Sequence, residues 1–452
     1  MHDVAKGSRT AKKQKASPRD KEVCGHTEIN LADAFVRHYG DSWRYVAEWG
    51  KWLKWDGRVW RKEDTLAIDD DVKAYIGGVD DEEAFSTWRT VRAVRDLASS
   101  DRRIAATVEQ WDAESFVLNT PDGIINLRTT VLSHHDPNRH CSKIAAVSPK
   151  AMETPLWDGF LDKIFSNDQK LIAYLYRVMG YCLTGDTREH ALFFGYGTGG
   201  NGKSVFIETV SGILGDYATT APISAFTLSH HDQHPTEIAR LQGARLVVAS
   251  ETEEGKRWNE ARVKQLTGGD RIAARYMRQD FFEFTPLFKL LIVGNHRPRL
   301  KTVDEAMRRR LQMIPFIVTI SDEEKDKQLG RKLKPEWPGI LHKIIQGGID
   351  WQASGLSAPE AVTTATQGYF DDEDTFGEWM AECCEIGKGF EDTIANLYGS
   401  WRAFHDQNGT HASAKNDLSA RLSEKGFEAY RGNRGRFFRG LKVSFIQLDD
   451  AP

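Results

Sequence analysis

Short apolar runs alternate with helical stretches between residues 189 and 345. The runs at Ala191–Phe194 and within Arg245–Gly255 and Phe288–Pro298 have the length of buried strands. Strands that are apolar throughout are typical of a parallel sheet whose two faces are covered by helices. The pattern therefore predicts an α/β domain with a parallel sheet over residues 189–345.

The chain before this region has a different pattern. Asp56-Gly57 interrupts the strand-like stretch Lys51–Lys62, and a Pro-Asp-Gly sequence interrupts Phe116–Leu127, so each stretch predicts a hairpin. From Trp157 to Cys182 the apolar residues recur at helical spacing instead. We expect a mixed α+β domain over residues 26–188. Its tryptophans on alternating strand positions are interpreted as core residues, with base stacking as the alternative.

The C-terminal part combines a small-residue stretch with a basic tail. Residues 346–375 are rich in Gly, Ala, Ser and Thr and are predicted to be a linker. Leu397–Gln407 and Asn416–Gly426 then have helical periodicity, and Phe427–Val443 predicts a hairpin. Helices followed by a hairpin predict a winged-helix, DNA-binding domain over residues 376–452. A protein-interaction module with a solvated basic face is the alternative.

Composition narrows the class of protein. The chain has 452 residues, 40% hydrophobic and 28% charged, which fits a soluble protein of two or three domains. No apolar run approaches the ~20 residues of a membrane span. Residues 1–25 are predicted to be a disordered basic tail without a secretion signal, so we expect a cytoplasmic protein. The net charge of −4 means that DNA must be held by local basic patches.

The stretch Gly197–Ser204 has the sequence GTGGNGKS and lies between a predicted strand and a predicted helix. It matches G-x-x-x-x-G-K-[ST], in which glycines let backbone N–H groups surround phosphates. The lysine then contacts the β- and γ-phosphates, and the hydroxyl ligates Mg²⁺. We therefore predict ATP and Mg²⁺ as ligands, with ATP bound by Gly197, Thr198, Gly199, Gly200, Asn201, Gly202, Lys203 and Ser204.

Polar residues follow the later strands. Glu251 is the first acid after one apolar strand, where a carboxylate can hold Mg²⁺ and polarise water, and Glu253 lies two residues on. Asn295 ends the next strand, where an amide can contact the γ-phosphate and the attacking water. Arg308-Arg309-Arg310 precede a further apolar run. An arginine presented to a neighbouring subunit's ATP is expected among these three.

Taken together, these segments resemble superfamily 3 helicases. GYGTGGNGKS, ARLVVASETEEG, KQLTGGDRIAAR, LLIVGNHRP and DEAMRRRLQMIPF occur in the order and spacing of that superfamily. The chain most resembles the phage and plasmid primase–helicase branch, which includes the poxvirus primase–helicase. The resemblance covers most of the chain from about residue 40 onward, and is weaker at both ends.

The resemblance implies a P-loop, AAA+-like ATPase that forms a hexameric ring, hydrolyses ATP between subunits and moves 3′ to 5′ along one DNA strand. By match of motif, Glu251 is the acid, Asn295 the sensor, and Arg309 or Arg310 the arginine finger. Many members carry two adjacent acids, whereas this chain has Ser250-Glu251. The division of labour between Glu251 and Glu253 is therefore open.

Two segments are candidates for contact with DNA. A hairpin is predicted from Ile272 to Phe284, and in the resembled family this element enters the channel of the ring. There Arg275, Tyr276 and Arg278 would grip phosphate and stack on a base; a hairpin covering a sheet edge is the alternative. In the predicted wing, the candidate phosphate contacts are Arg431, Arg434 and Arg436.

Other chemistry is discounted. The histidines of Ser229–Pro235 lack a fourth ligand at regular spacing, so no metal site is expected there. Asp69-Asp70-Asp71 is interpreted as a solvated run, so we expect no primer synthesis by this polypeptide and a separate primase or polymerase as partner. The resemblance implies, as the leading function, a replicative DNA helicase of a phage, prophage or plasmid that acts in the cytoplasm of a bacterial host cell. The alternatives are an ATP-switched origin-binding protein with weak unwinding and a helicase subunit named after primase; a small-molecule kinase ranks last.

Overall fold

The computed structural model describes residues 27–79, 85–228, 235–250, 256–277, 280–300, 303–408, 412–432 and 435–444. The chain divides into two compact units, Met1–Ser148 and Pro149–Pro452. The helices within residues 157–182, which the sequence pattern groups with the N-terminal domain, belong to the second unit. Within the described ranges, no helix combines the length and the apolar character that a membrane crossing needs.

The first unit consists of short strands and three helices among its described residues. They are α1 (Glu28–Tyr39), β1 (Trp43–Val46), β2 (Lys51–Trp55), β3 (Trp60–Lys62), α2 (Ala67–Ile76), α3 (Trp88–Ser99), β4 (Ala105–Ala106), β5 (Val117–Thr120), β6 (Gly123–Asn126) and β7 (Leu132–Ser133). One sheet has the order β3-β2-β1-β4, and the other β5-β6-β7. Both predicted hairpins are confirmed, because β2 pairs antiparallel with β3 and β5 with β6.

Most tryptophans that are buried in the first unit belong to its hydrophobic core. Trp43 and Trp60 are fully buried, with 0% and 1% of their surface exposed, which confirms that they serve the core. Trp88 differs from them, because 48% of its surface is exposed.

The acidic run at Asp69–Asp71 is structural and only partly solvated. Asp69 is 2% exposed and lies 3.2 Å from Nη1 of Arg95. Asp71 accepts hydrogen bonds from Nε1 of Trp43 at 3.0 Å and from Nζ of Lys54 at 2.8 Å. The interpretation as a solvated run was therefore wrong for these two residues. Their partners hold them in place, because a buried carboxylate needs compensating donors.

The second unit continues from Pro149 to the C-terminus. Its elements are α4 (Pro155–Ile164), α5 (Gln169–Cys182), β8 (Leu192–Tyr196), α6 (Lys203–Leu214), β9 (Ala218–Thr220), α7 (Pro235–Ala239), β10 (Leu246–Ser250), α8 (Glu260–Thr267), β11 (Ile272–Ala274), β12 (Phe282–Phe284), β13 (Lys289–Gly294), α9 (Glu305–Arg308), β14 (Leu311–Pro315), α10 (Leu329–Lys332), α11 (Trp337–Ser354), α12 (Glu360–Glu373), α13 (Thr375–Cys383), β15 (Cys384–Thr393), α14 (Ile394–Gln407), α15 (Lys415–Glu424), β16 (Glu428–Gly432) and β17 (Gly435–Val443).

A five-stranded sheet forms the centre of this unit, in the order β14-β8-β13-β10-β9. Every neighbouring pair is parallel. Strand β13 is buried at all six positions, as a parallel strand covered on both faces must be. The predicted mixed α/β fold with a parallel sheet is confirmed.

The segment predicted to be a linker, residues 346–375, is helical. It contains the end of α11, all of α12 and the first residue of α13, and Tyr369 and Phe370 lie in the core beside the sheet. Two of its glycines, Gly347 and Gly348, serve close packing. A methyl group on Gly347 would lie 2.3 Å from the carbonyl oxygen of Tyr176, and one on Gly180 would lie 2.1 Å from the backbone nitrogen of Gly348. Only glycine lets α5 and α11 approach so closely.

The C-terminal elements run in the order α13, β15, α14, α15, β16, β17, and their strands form a sheet β15-β17-β16. Leu418 and Leu422 of α15 are fully buried against Trp379 and Trp401 in the core of this part. The predicted pair of helices followed by a hairpin is therefore present, with a third helix and a strand before it.

A buried lysine stands at the amino end of β13. Nζ of Lys289 donates to the backbone carbonyls of Thr184, Asp186 and Leu287, the last two at 3.3 Å. Burial, with a smaller contribution from the charge of the neighbouring Arg245, lowers the pKa of this ammonium from 10.5 to about 7. The folded protein therefore releases a proton that the unfolded chain retains up to a pH of about 10.5.

Stability is expected to rise with pH as a result. Between about pH 7 and about pH 8.5 the unfolded chain binds more protons at this site, so the free energy of unfolding should increase by up to ~1.4 kcal/mol per pH unit. Urea titrations of the full chain across this range would measure the slope. Lys289→Met should flatten it, whereas Lys170→Met, at an exposed position, should not. An unchanged slope in Lys289→Met would contradict the assignment.

Candidate functional site

The glycine-rich loop Gly197–Gly202 joins β8 to α6 at the carboxyl edge of the sheet. A methyl group on Gly197 would lie 2.0 Å from the carbonyl oxygen of Phe316, so a side chain has no room there. Gly202 has φ +82° and, with a methyl group, would lie 2.7 Å from Cγ2 of Ile164. On the open side of the loop, Thr198, Gly199 and Gly200 are exposed. The loop thus presents bare backbone to the solvent side.

Lys203 is held by the loop that precedes it. Its Nζ donates to the carbonyl oxygen of Gly197 at 2.7 Å and to Oδ1 of Asn201 at 2.9 Å. It also donates to Oδ1 of Asn295 at 3.2 Å. Burial lowers the pKa of the Lys203 ammonium below its ordinary value. The sequence-predicted lysine and amide, 92 residues apart, therefore meet at one point.

The carboxyl ends of three neighbouring strands line up at this edge. In register, Val293 of β13 pairs with Ser250 of β10 on one side and with Gly195 of β8 on the other. Asn295 follows β13, and the loop follows β8. The predicted acids Glu251 and Glu253 follow β10 in sequence but lie outside the described residues. Their roles remain predictions.

A cleft of about 1270 Å³ opens over this edge. Ser204, whose side chain is exposed, lines it together with Lys203 and Asn295. One wall is α4, which contributes Leu156, Gly159, Phe160 and Lys163. The start of α4 is fixed by the buried carboxylate of Glu336, which accepts from the backbone N–H groups of Leu156 and Trp157 at 3.0 and 2.9 Å.

A second wall is formed by residues 316–328, here named the crossing segment, which follows β14 and passes over the glycine-rich loop. Nδ2 of Asn201 donates to the carbonyl oxygen of Phe316 at 2.8 Å. The backbone N–H of Ile320 donates to the carbonyl oxygen of Gly200 at 2.9 Å. Glu324 Oε1 lies 3.3 Å from Lys163 Nζ, which connects this wall to α4. The cleft is thus bounded by elements on both sides of the loop.

The three consecutive arginines have different environments. Arg310 is 7% exposed and its guanidinium is used inside the chain, donating to Oγ1 of Thr267 at 3.1 Å and to the carbonyl oxygen of Ala306 at 2.9 Å. Arg308 lies over the ring of Phe370 at 4.9 Å. Arg309 is exposed. None of these three described residues lines the cleft of its own chain.

Burial accounts for the difference between the two finger candidates. It lowers the pKa of the Arg310 guanidinium, and the charge of Arg309 acts in the same direction. Withdrawing Arg310 from its partners would leave buried acceptors unsatisfied. Of the two candidates predicted from sequence, Arg309 alone has a side chain available to another molecule.

The predicted hairpin is present as β11 paired antiparallel with β12. Arg275 is exposed, and its guanidinium lies 4.9 Å from the ring centre of Phe281, itself 61% exposed. Tyr276 instead stacks on Phe282 at 5.5 Å and donates its hydroxyl to the carbonyl oxygen of Ala239 at 3.1 Å. Tyr276 therefore serves the packing of the hairpin. Arg278 lies outside the described residues.

In the C-terminal hairpin, Arg431 and Arg436 are exposed and stand directly opposite each other on β16 and β17. Beside them, Tyr430 stacks on Phe437 at 5.4 Å, and Arg439 lies 4.4 Å from the ring centre of Tyr430. Arg434 lies outside the described residues, as do the histidines at 230, 231 and 234. Among the residues described, no cluster of three or more His, Cys, Asp or Glu side chains could hold a metal ion.

Sequence reasoning missed several residues of these surfaces. Lys163 and Lys325 line the cleft, and Phe281 is the exposed aromatic residue of the hairpin. The signal for the hairpin was present in the sequence. Strand residues alternate between faces, so Tyr276 falls on the face of the buried Ile272 and Ala274. No comparable signal exists for the crossing segment, which is a charged stretch without periodicity.

Comparison with known protein families gives two matches. Residues 32–166 match the family described as D5 N terminal like. Residues 195–310, which contain the glycine-rich loop and Asn295, match a family of unknown function, DUF5906. Together the two segments cover parts of both compact units.

Individual relatives are viral. A protein of Acanthamoeba polyphaga mimivirus named "putative helicase" is 28% identical over 277 residues, which cover 56% of this chain and 28% of that protein. A "putative primase" of African swine fever virus is 21% identical over 373 residues, covering 74% of this chain and 38% of the relative. The chain therefore corresponds to well under half of each relative.

Among solved structures, the apo form of the NrS-1 C terminal region superposes with a TM-score of 0.53. The match covers 92% of this chain and 100% of that one, at 11% sequence identity. The similarity extends over nearly the whole described fold, and at this identity it concerns the fold alone.

Proposed function

Because the chain belongs to the phage and viral primase–helicase-like family, we propose that it is a DNA helicase driven by ATP hydrolysis. One observation carries the proposal. The buried ammonium of Lys203 is shared between the carbonyl of Gly197 and the side chain of Asn295, at the floor of an open cleft. A cation next to bare backbone N–H groups and a helix N-terminus binds phosphates, and an amide beside it can respond to the terminal phosphate.

The cleft fits a nucleoside triphosphate with its metal. Gly197 and Gly202 let the loop pack closely against Phe316 and Ile164. Gly199 and Gly200 are exposed on the open side of the loop, where the absence of side chains leaves the backbone free to approach phosphate oxygens. Mg²⁺ would be held by the Ser204 hydroxyl and the Glu251 carboxylate and would neutralise charge on the phosphates. In this arrangement Lys203 binds the β- and γ-phosphates, while Asn295 and Glu251 orient the attacking water. The sheet and loop then form a P-loop ATPase of the AAA+ type.

A further positive charge, which would stabilise the transferred phosphoryl group, would come from a neighbouring copy of the chain. Arg309 is exposed, precedes β14 and lies away from its own cleft, since β14 is parallel to β8 and the loop follows the far end of β8. An arginine in that position can reach only the nucleotide of another subunit. We therefore infer a ring of subunits, six by family resemblance, in which Arg309 neutralises the transferred phosphoryl group and movement is 3′ to 5′.

Two exposed basic surfaces would hold DNA. Arg275 and Phe281 at the first hairpin combine a cation with an aromatic face, the pair of groups that grips phosphate and stacks a base. In the C-terminal part, the element order α13, β15, α14, α15, β16, β17 supports a winged helix. The directly opposed Arg431 and Arg436 repel each other, and an anionic partner such as a DNA phosphate would relieve that repulsion.

The motor function predicts a specific response to DNA. Single-stranded DNA should strongly stimulate phosphate release, and the double variant Arg275→Ala/Phe281→Ala should need about ten times more DNA for half-maximal stimulation, because it loses a phosphate contact and a stacking surface. The measurement is a titration of steady-state ATP hydrolysis with an oligonucleotide. Arg271→Ala is the matched control, since Arg271 stands on the same hairpin 4.0 Å from Glu283.

The outcome also separates the two candidate functions. An ATP-switched origin-binding protein would use the Arg431 and Arg436 surface on duplex DNA, and would show little stimulation by single strands. Equal DNA requirements for the double variant and wild type would contradict the assignment of the first hairpin.

A further inference from the structure

We propose that Lys325, on the crossing segment, is a second phosphate-binding cation of the cleft and contacts the terminal phosphate of a bound nucleoside triphosphate. This inference rests on the proposed binding of ATP by the glycine-rich loop. It adds a residue from a different part of the chain, 122 positions beyond Lys203 by subtraction of the two residue numbers. Its function would be to distinguish triphosphate from diphosphate.

The position of the ammonium group is the first observation. A methyl group on Gly200 would lie 3.0 Å from Nζ of Lys325 and 3.1 Å from its Cε. Gly200 has φ +78° and is exposed on the open side of the loop. Lys325 also lines the same cleft as Lys203 and Ser204. A phosphate seated on the loop backbone would therefore lie within reach of both Lys203 and Lys325.

The crossing segment is fixed to the loop, so this proximity does not depend on the lysine side chain alone. Ile320 donates its N–H to Gly200, and Asn201 donates to the carbonyl of Phe316. The Thr198 and Thr319 hydroxyls are 3.4 Å apart. These contacts place the backbone of the segment over the glycine-rich loop on both sides of Gly200.

The ion pair that Lys325 forms with Asp322 is weak enough for a phosphate to replace the carboxylate. Its Nζ lies 2.6 Å from Oδ1 of Asp322, whose side chain is 94% exposed. Exposed ion pairs contribute little, and an ammonium has further donors to offer a phosphate. Lys163, the third lysine among the described residues that line the cleft, pairs instead with Glu324 at 3.3 Å. The bound triphosphate, with more negative charge than a diphosphate, would attract Lys325 more strongly than Asp322 does.

The test compares two nucleotides on the full chain. Binding of ADP and of a non-hydrolysable ATP analogue, both with Mg²⁺, is measured by calorimetry for wild type, Lys325→Ala and Lys325→Arg. We expect Lys325→Ala to bind the analogue about tenfold more weakly, as for the loss of one charge-assisted contact, while its affinity for ADP stays within about twofold. Lys325→Arg should restore most of the loss. Thermal melting confirms that each variant is folded.

The binding measurements distinguish failure of the Lys325 inference from failure of the proposed ATP site. If Lys325→Ala weakens both nucleotides equally, or neither, Lys325 does not contact the terminal phosphate and the inference is wrong. If Lys203→Ala retains both nucleotides with wild-type affinity, the proposed ATP site itself fails. Restoration of binding by Lys325→Arg would show that the positive charge contacts the phosphate. The crossing segment itself is held by the bonds of Ile320 and Asn201.

Discussion

Replacing Lys203 with alanine is expected to abolish ATP hydrolysis and to lower the affinity for ATP by at least about 100-fold, because the variant loses a buried charge-assisted contact to phosphate. The same change removes the bonds that Lys203 donates to Gly197 and Asn201, so the loop also loses its internal support. Phosphate release and binding of a fluorescent ATP analogue would measure the two effects.

Lys170→Ala is the matched control, since Lys170 is exposed on α5 and away from the cleft. It should hydrolyse ATP as wild type does. Wild-type turnover in Lys203→Ala, in protein shown by thermal melting to be folded, would end the proposal that the glycine-rich loop is the ATP site.

Replacing Arg309 with alanine is expected to leave ATP binding intact and to lower turnover by about 10³-fold, the usual loss when a trans-acting arginine is removed. The physical reason is that Arg309 does not line the cleft of its own chain, and the proposed ring assigns it to the nucleotide of a neighbouring subunit. Steady-state hydrolysis at saturating ATP, together with analogue binding, separates loss of chemistry from loss of affinity.

Arg308→Ala tests whether the position within the arginine run matters. Its guanidinium lies on Phe370, so this variant should lose some stability but retain hydrolysis. If Arg308→Ala were as inactive as Arg309→Ala, the assignment of the finger to Arg309 would be wrong. Arg310→Ala is a poorer probe, because it would leave buried hydrogen-bond partners unsatisfied.

The parts of the candidate site that the sequence predicts are those formed by consecutive residues or by residues at the end of a strand or helix. The glycine-rich loop and Lys203 are contiguous with a strand and a helix. Asn295 meets Lys203 because parallel strands end at one edge of the sheet, and both end positions were visible as changes from apolar to polar residues.

Prediction from the sequence failed where the outcome depends on tertiary packing. Composition suggested a linker at Gly347 and Gly348, but the glycines lie where two helices cross. The bond from Ile320 to Gly200 joins backbone groups far apart in sequence and has no side-chain pattern to predict it. The burial of Arg310 beside an exposed Arg309 depends on how the short helix α9 leads into β14.

Complementation between two inactive variants would show whether ATP is hydrolysed at a seam between two copies of the chain. Lys203→Ala and Arg309→Ala, each inactive alone, are mixed in varying proportions and hydrolysis is measured. An intact seam forms where an Arg309→Ala subunit, which keeps Lys203 and the glycine-rich loop, meets a Lys203→Ala subunit, which keeps Arg309. In an equal random mixture about a quarter of the seams are of this kind. Activity should peak near equal proportions. Co-assembled mixtures that stay inactive at every ratio would exclude hydrolysis between subunits.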